Sequence, residues 1–299
     1  MPSESFHGLL VFDKPLGVTS RAAVDRAQRW FPRGTKLGHT GTLDPLATGV
    51  LVVCVGAATR LADYVQAMGK TYRSRFRLGA TSTTDDADGT VTPSTAASQP
   101  TREAIDAALP SFLGCVEQVP PPFSALKVGG RRAYSVARSG QDVELAARVV
   151  RIDAVRVLAY EWPFLDVEID CGKGTYIRSI ARDLGATLGV GGMVEALRRT
   201  RVGPFAAEQG IGVDATPEEA QAKLLPMAAA LAGMEQVRID TGAVRRFRCG
   251  QVIQVDRRCQ PPESSTVAVL DDTGDLVGIG RVLRGAVKPE MVIPANGPA

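Results

Sequence analysis

At 299 residues, with 44% hydrophobic and 22% charged side chains, the chain is long enough for about two domains and apolar enough for a sizeable core. No apolar run approaches the ~20 residues of a membrane-spanning helix, and the N-terminus lacks the basic-then-apolar order of a secretory signal, so a cytoplasmic protein is expected. A net charge of +3 points weakly to an anionic partner, while five scattered cysteines without a C-x-x-C pair and only two histidines, His7 and His39, argue against a zinc ribbon, a redox pair or a His-rich metal site.

In chain order, Gly8 to Asp13 reads as a strand and Lys14-Pro15-Leu16-Gly17-Val18 as a turn. Thr19-Ser20 supplies an N-cap for a helix over about Arg21 to Phe31. The stretch Gly38 to Gly49 follows, with one acidic side chain, Asp44, among Gly, Thr, Leu, Ala and Pro. Pro45 biases Asp44 toward extended backbone, and Gly38, Gly41 and Gly49 permit turns. The apolar run Val50 to Val55 then reads as a buried strand, so a lone carboxylate sits on a stiff loop beside a core strand. That arrangement suits an enzyme whose carboxylate must meet one substrate atom, and it equally suits an Asp that caps a turn.

Leu61, Val65 and Met68 mark a second helix. Lys70 to Leu78 alternates as a strand, with Tyr72, Phe76 and Leu78 on one face. Arg73, Arg75 and Arg77 fall on the other, where they could meet phosphates or simply water. Asp85 and Asp86 lie in a polar turn and read as solvated; Asp86, Asp88 and Gly89 have EF-hand spacing, but Thr84 and Thr95 stand where calcium ligands are required. Thr90 to Thr101 reads as a surface loop and Arg102 to Leu113 as helical.

The segment from Pro120 through Lys127, Arg131, Arg132, Tyr134 and Arg138 is a basic excursion with an aromatic residue inside it, suited to gripping a polynucleotide backbone. Phe164 to Cys171 alternates as a half-exposed strand. Gly172-Lys173-Gly174-Thr175 turns into a helix from near Tyr176, with Arg178 and Arg182 off its apolar stripe. A Gly-x-Gly turn at a helix N-terminus is a weak anion-site signal. Leu197 to Phe205 is a further basic cluster, and an Ala-rich helix is expected around Met227 to Leu231. From about Val237 short strands dominate, with Asp271 to Gly274 as a hairpin turn. No Walker A loop, G-x-S-x-G elbow or H-E-x-x-H is present, and Gly189 to Val194 fails as a dinucleotide loop because it follows a helix.

Taken together, the ordered blocks Asp13-Lys14-Pro15-x-Gly17-x-Thr19-Ser20, Gly38 to Gly49, Lys70-x-Tyr72, Pro120 to Arg138, Gly174 to Ser179 and Leu197 to Phe205 resemble the bacterial tRNA pseudouridine-55 synthases over roughly residues 8 to 205. The resemblance implies a mixed α/β (α+β) catalytic domain, residues 1–234, with a central, largely antiparallel sheet flanked by helices. The basic insertion over about 119–147 belongs to that domain, and a small all-β PUA-like domain covers residues 235–299. It implies isomerisation of a T-loop uridine of tRNA without metal or cofactor, and no protein partner or membrane. A monomer is the default expectation.

By the same resemblance, Asp44 is the essential carboxylate, Arg178 pairs with it, and Tyr72 is the active-site tyrosine. Tyr176 and Leu197 form the base pocket, and His39 occupies space vacated by a flipped base. Lys14, Lys127, Arg131, Arg132, Arg198 and Arg199 are candidate phosphate contacts, expected to set affinity and salt dependence more than rate. Gly192-Met193 stands where a bulkier residue is expected. Two other functions remain compatible with parts of the chain. An RNA-binding protein without catalysis would share the basic segments, and a glycoside hydrolase would need a second carboxylate, for which no comparable setting is seen.

Overall fold

A computed structural model describes residues 6–94, 98–124, 127–128, 131–132, 145–255 and 261–294. A nine-stranded sheet dominates. In chain order it uses β1 (Gly8–Lys14), β2 (Leu37–His39), β3 (Ala47–Val55) and β4 (Lys70–Leu78). A small hairpin of β5 (Ala80–Ser82) and β6 (Val91–Pro93) intervenes before β7 (Gly114–Gln118). The short pair β8 (Lys127–Val128) and β9 (Arg131–Arg132) precedes β10 (Arg148–Glu161) and β11 (Phe164–Cys171). The sheet is completed by β12 (Gly192–Val202) and β13 (Phe205–Ala206).

Its order is β1-β3-β12-β4-β11-β10-β7, with β2 beside β3 and β13 beside β12. Every pairing is antiparallel except β3 with β12, so the sheet is mixed and largely antiparallel, as expected. One edge of β3 carries β1 along its full length. β2 pairs with its Val53–Val55 end, and β12 with its Ala47–Gly49 end. Residues 40–46, which hold Asp44, bridge β2 and β3 at that division.

Alternation decides what each face buries. Leu10, Phe12, Leu51, Val53, Tyr72, Phe76 and Leu78 join one core with Trp30, Phe31, Ile180 and Leu184. Leu9, Val11, Val50, Val52 and Cys54 point into a second core, shared with Ala268, Leu270, Leu276 and Ile279. β1 and β3 are thus covered on both faces, which is why both are apolar runs. β4 and β11 are covered on one. Their other face matches Arg73 with Glu168 (3.1 Å) and Arg75 with Asp166 (2.8 Å), while Arg77 approaches Glu195 (3.9 Å). The three arginines are therefore partnered across strands, and such exposed pairs contribute at most about 1 kcal/mol each.

The helices are shorter than the periodicity predicts. α1 (Ser20–Ala27) starts at Thr19, whose Oγ1 accepts from the Ala22 amide (3.1 Å), but Gln28–Trp30 tightens into a 3₁₀ turn and Phe31 is extended. α2 (Ala62–Ala67) follows a 3₁₀ stretch at Gly56–Leu61. α3 (Arg102–Ala108) gives way to Leu109–Phe112, where Pro110 has no amide to continue the ladder. α4 (Ile177–Thr187) packs Ile177, Ile180, Ala181 and Leu184 on the sheet. A Cβ on Gly192 would lie 2.2 Å from the Ala181 carbonyl, so the approach of α4 to β12 accounts for glycine where a bulkier residue was expected. α5 (Pro217–Ala222) has a Thr216/Glu219 capping box, and Met227–Leu231 is 3₁₀.

The C-terminal sheet joins β14 (Gln236–Arg238), β15 (Ile253–Gln254), β16 (Thr266–Leu270), β17 (Leu276–Leu283) and β18 (Ala286–Val292), in the order β14-β16-β17-β18-β15. α6 (Thr241–Arg248) lays Phe247 on its core. Asp271 Oδ1 accepts from the amides of Thr273 and Asp275 across the expected hairpin turn. No helix among the described residues is long and apolar enough to cross a membrane.

Gly49 is a position where glycine is required: its φ is +98°, and a Cβ there would meet the Arg199 carbonyl at 2.2 Å. Gly38, by contrast, lies inside β2 with open space around it. Gly49→Ala is expected to destabilise the protein by on the order of 2–4 kcal/mol through backbone strain and displacement of β12. Urea unfolding reads this directly, and an unchanged midpoint would contradict the close crossing of β3 and β12.

Candidate active site

The loop over residues 40–46 is tied down along its length. Thr40 Oγ1 donates to Val52 O (3.2 Å), and Arg199 Nη2 donates to Gly41 O (3.1 Å). Ser20 Oγ accepts from the Leu43 amide (2.8 Å) and donates to its carbonyl (3.0 Å). The Gly17 amide donates to Pro45 O (2.8 Å), and the Ala47 amide to Asp44 O (3.1 Å). Lys14 is fully buried behind the loop, where its Nζ donates to the carbonyls of Pro15 (3.0 Å), Val18 (2.6 Å) and Pro45 (3.4 Å). Lys14 is therefore not placed for a phosphate contact. It anchors the turn before α1 to the loop that carries Asp44.

The Asp44 carboxylate, 35% exposed, meets Arg178 Nη2 at 3.0 Å, and Arg178 itself is 4% exposed. Arg178 lies off the apolar stripe of α4, where an isolated helix would leave it in water. Two segments cover it: Nη1 donates to Thr84 O (2.8 Å) and Nη2 to Phe123 O (2.9 Å). Nη1 also approaches Asp86 Oδ2 at 3.5 Å. Asp86 is buried, contrary to the solvated turn expected from sequence, and Thr84 Oγ1 and the Asp88 amide donate to its Oδ1. Burial pushes the Asp86 carboxyl above its ordinary range, against the opposing pull of Thr84 and Arg178. Asp85 is buried too, in the left-handed region at φ +60°, and pairs with Arg182 at 2.9 Å. Burial raises its carboxyl as well.

Asp44 and Arg178 open onto a cavity of about 340 Å³ that Tyr72, Tyr176, Leu197, Lys70 and Arg199 also line. Tyr72 extends from the buried face of β4, and burial raises its phenol above the ordinary value. Tyr176 caps α4, with its backbone clamped by the Gln118 side-chain amide, which accepts from Tyr176 N (2.8 Å) and donates to Tyr176 O (3.1 Å). Gly174, at φ +86°, turns the chain into that helix.

The remaining candidates distribute differently. Arg199 is buried and donates to Val50 O (2.7 Å), Gly41 O and Tyr72 Oη (3.4 Å), so it faces the cavity and the loop instead of a phosphate on the surface. Arg198 forks onto Asp13 (3.0 and 2.9 Å), which occupies it internally. His39 ends β2 opposite Val53, half-buried and outside the cavity lining. Lys127 and Arg132 face each other in register between β8 and β9, and Arg131 faces Val128, while their side chains, with Tyr134 and Arg138, lie outside the described residues.

Sequence reasoning missed Asp86, whose one signal was an Asp-Asp doublet, and Lys70, visible only as part of Lys70-x-Tyr72. Burial lowers the Lys70 and Lys14 ammonium groups to about 8, and raises the Cys54 and Cys171 thiols to about 12 and about 11. Between about pH 8 and their ordinary 10.5 the lysines bind fewer protons folded than unfolded, so stability rises with pH there. Above their ordinary 9.0 the thiols bind more protons folded, which opposes that rise. The urea midpoint is expected to climb from pH 7.5 to 9 and to gain nothing further by pH 10. A midpoint that falls from pH 7.5 to 9 would count against the burial of the two lysines.

Comparison with known proteins adds the lineage of this arrangement. Residues 29–177 match the family described as TruB family pseudouridylate synthase (N terminal domain). Residues 178–231 match the tRNA pseudouridylate synthase B C-terminal domain, and 236–293 match Pseudouridine synthase II TruB, C-terminal. A protein of Cupriavidus metallidurans named tRNA pseudouridine synthase B is 42% identical over 98% of this chain and 96% of its own. One of the same name from Mycobacterium sp. strain KMS is 51% identical over 71% of this chain and 72% of its own. The fold is shared with a chain in the solved structure of an H/ACA RNP bound to a substrate RNA containing 2′-deoxyuridine. That likeness has a TM-score of 0.72 at 23% identity and covers 97% of this chain and 86% of that one.

Proposed function

The chain belongs to the TruB family of pseudouridylate synthases, and from that premise we propose that it isomerises the uridine at position 55, in the T loop of tRNA, to pseudouridine. The observation that carries the reading is the 3.0 Å Asp44–Arg178 pair at the mouth of a cavity that also holds Tyr72, Tyr176 and Leu197.

The reaction breaks the N1–C1′ bond, turns the uracil while it is held, and joins C5 to C1′. A carboxylate beside the ribose serves it as nucleophile, as base at C2′, or as a counter-charge to an electron-poor sugar. Arg178, 3.0 Å away, holds the Asp44 carboxylate in one orientation for any of the three. Tyr72, which lines the cavity, stacks on the base, and its hydroxyl lies near the path of the departing C5 proton. Tyr176 and Leu197 bound the base from two further elements.

A uridine inside a folded loop must leave its stack first, at a cost of a few kcal/mol. His39, at the end of β2 and directly before Thr40 of the cavity lining, fills the vacated space. Lys127, Arg131 and Arg132, on the paired strands β8 and β9, grip the RNA backbone. The catalytic unit is residues 1–234 and the PUA-like unit 235–299, acting together as a cytoplasmic monomer. The test is tritium release from a T stem-loop labelled at uridine C5. Turnover at one uridine is expected, and a stem-loop left untouched by folded protein overturns the assignment.

A further inference from the structure

Arg199 does more than tie the loop to the sheet. It stands opposite Tyr72 in the β12–β4 register, and it is 3% exposed. Its described partners are the carbonyls of Val50 and Gly41 and the hydroxyl of Tyr72, none of them a carboxylate. These take three of the five N–H donors of a guanidinium, and the group lines the cavity that holds Asp44. Lys70 lies two residues from Tyr72 on the same face of β4, lines the same cavity, and spends its ammonium on the carbonyls of Gln66 and Met68. Arg178, by contrast, is answered by two carboxylates, Asp44 and Asp86. The cavity thus holds buried positive charge on the Tyr72 side that its own carboxylates leave unmatched. A buried cation without a counter-ion is costly to keep, and that cost is repaid where negative charge develops during a reaction.

We propose that Arg199 is a catalytic residue that stabilises the uracil anion formed when the glycosidic bond breaks. The inference rests on the function proposed above. When N1–C1′ breaks, its electron pair stays on N1 and the charge spreads onto O2 and O4, while C1′ is left electron-poor beside Asp44. The free N–H donors of Arg199 take up that charge during rotation of the base. The C5–C6 π electrons then form the bond to C1′, the C5 proton leaves, and N1 takes up a proton, which restores neutrality. Because Tyr72 Oη accepts from Arg199, its own proton is free to point into the cavity and add a second donor.

The charge makes this testable with 5-fluorouridine, whose base is a better leaving anion and needs less stabilisation. 5-Fluorouridine has no C5 proton to lose, so after its C5–C1′ bond forms the N1=C6 imine closes by adding water at C6. Single-turnover C-glycoside formation is therefore followed for both T stem-loops by nuclease digestion, chromatography and fragmentation mass spectrometry, which separate C- from N-glycosides, and the wild-type protein sets the ratio of the two rates. Arg199→Met is expected to slow uridine about a hundredfold, the loss typical of one removed donor to a developing anion, and 5-fluorouridine about tenfold less. Equal slowing of both overturns the proposal, because a merely structural role cannot sense the leaving group. Arg199→Lys serves should the Met variant not fold: a raised preference for 5-fluorouridine supports the assignment, and an unchanged one overturns it. Wild-type turnover with an unshifted ratio defeats this inference alone. Wild-type failure on both stem-loops defeats the proposed function with it.

Discussion

Asp44→Asn is expected to abolish tritium release from C5-labelled tRNA, a loss of at least about four orders of magnitude, while tRNA binding stays within a fewfold of wild type. The substitution keeps the shape of the side chain, and apart from the Arg178 contact the hydrogen bonds described for residues 40–46 come from backbone atoms or from Thr40, Ser20, Lys14 and Arg199. The loop should therefore stand as it does now. What disappears is a charge, and with it any capacity to act as nucleophile, base or counter-ion. Asp44 is 35% exposed, and buried Arg178 keeps Asp86 and the carbonyls of Thr84 and Phe123 when that charge goes, so the melting temperature is expected to move little as well. A variant with normal turnover, or one whose lost activity merely tracks lost stability, would remove Asp44 from the chemistry.

The parts of this molecule that were legible in its sequence are those decided by local pattern. The alternation of Lys70 to Leu78 and of Phe164 to Cys171 reproduces β4 and β11, because a sheet with one covered face writes a two-residue period into the chain. The run Val50 to Val55 reads as a buried strand, and the structure covers it on both faces. Helix ends were less legible, since the 3₁₀ turns at Gln28–Trp30 and Leu109–Phe112 depend on what the chain packs against.

The charged residues show where local pattern runs out. Lys14, Arg198 and Arg199 look like phosphate contacts in a list of basic residues. In the fold Lys14 and Arg199 are buried against carbonyls, and Arg198 is spent on Asp13. Asp86 looked solvated because nothing within its turn hides it. It is hidden by α4, which lies some 90 residues further along the chain and brings Arg178 to it. The identity of a charged residue is local, but its burial is tertiary, and burial separates a solvated charge from a working one.

That separation predicts how Arg178 should behave when removed. Arg178→Met strips both carboxylates of their shared cation. Asp44 can turn to solvent, whereas Asp86, 4% exposed and already raised by burial, cannot. The variant is expected to lose about 3–5 kcal/mol of stability at neutral pH, the cost of a buried charge left without its partner, and its isomerase activity should fall toward that of Asp44→Asn. The sign with pH follows. A carboxyl whose folded pKa lies above its unfolded value destabilises the fold as pH rises through that interval, so the deficit of Arg178→Met should shrink as pH falls and Asp86 takes up a proton. Adding Asp86→Asn removes the stranded charge, and the double variant should regain much of the stability while regaining none of the turnover, because Asp44 remains without its anchor. A double-mutant cycle in urea, read beside tritium release, separates the two roles. Strictly additive stability losses would mean that Asp86 and Arg178 do not share an interaction, and recovered turnover in the double variant would mean that Arg178 acts only as a counter-ion to Asp86.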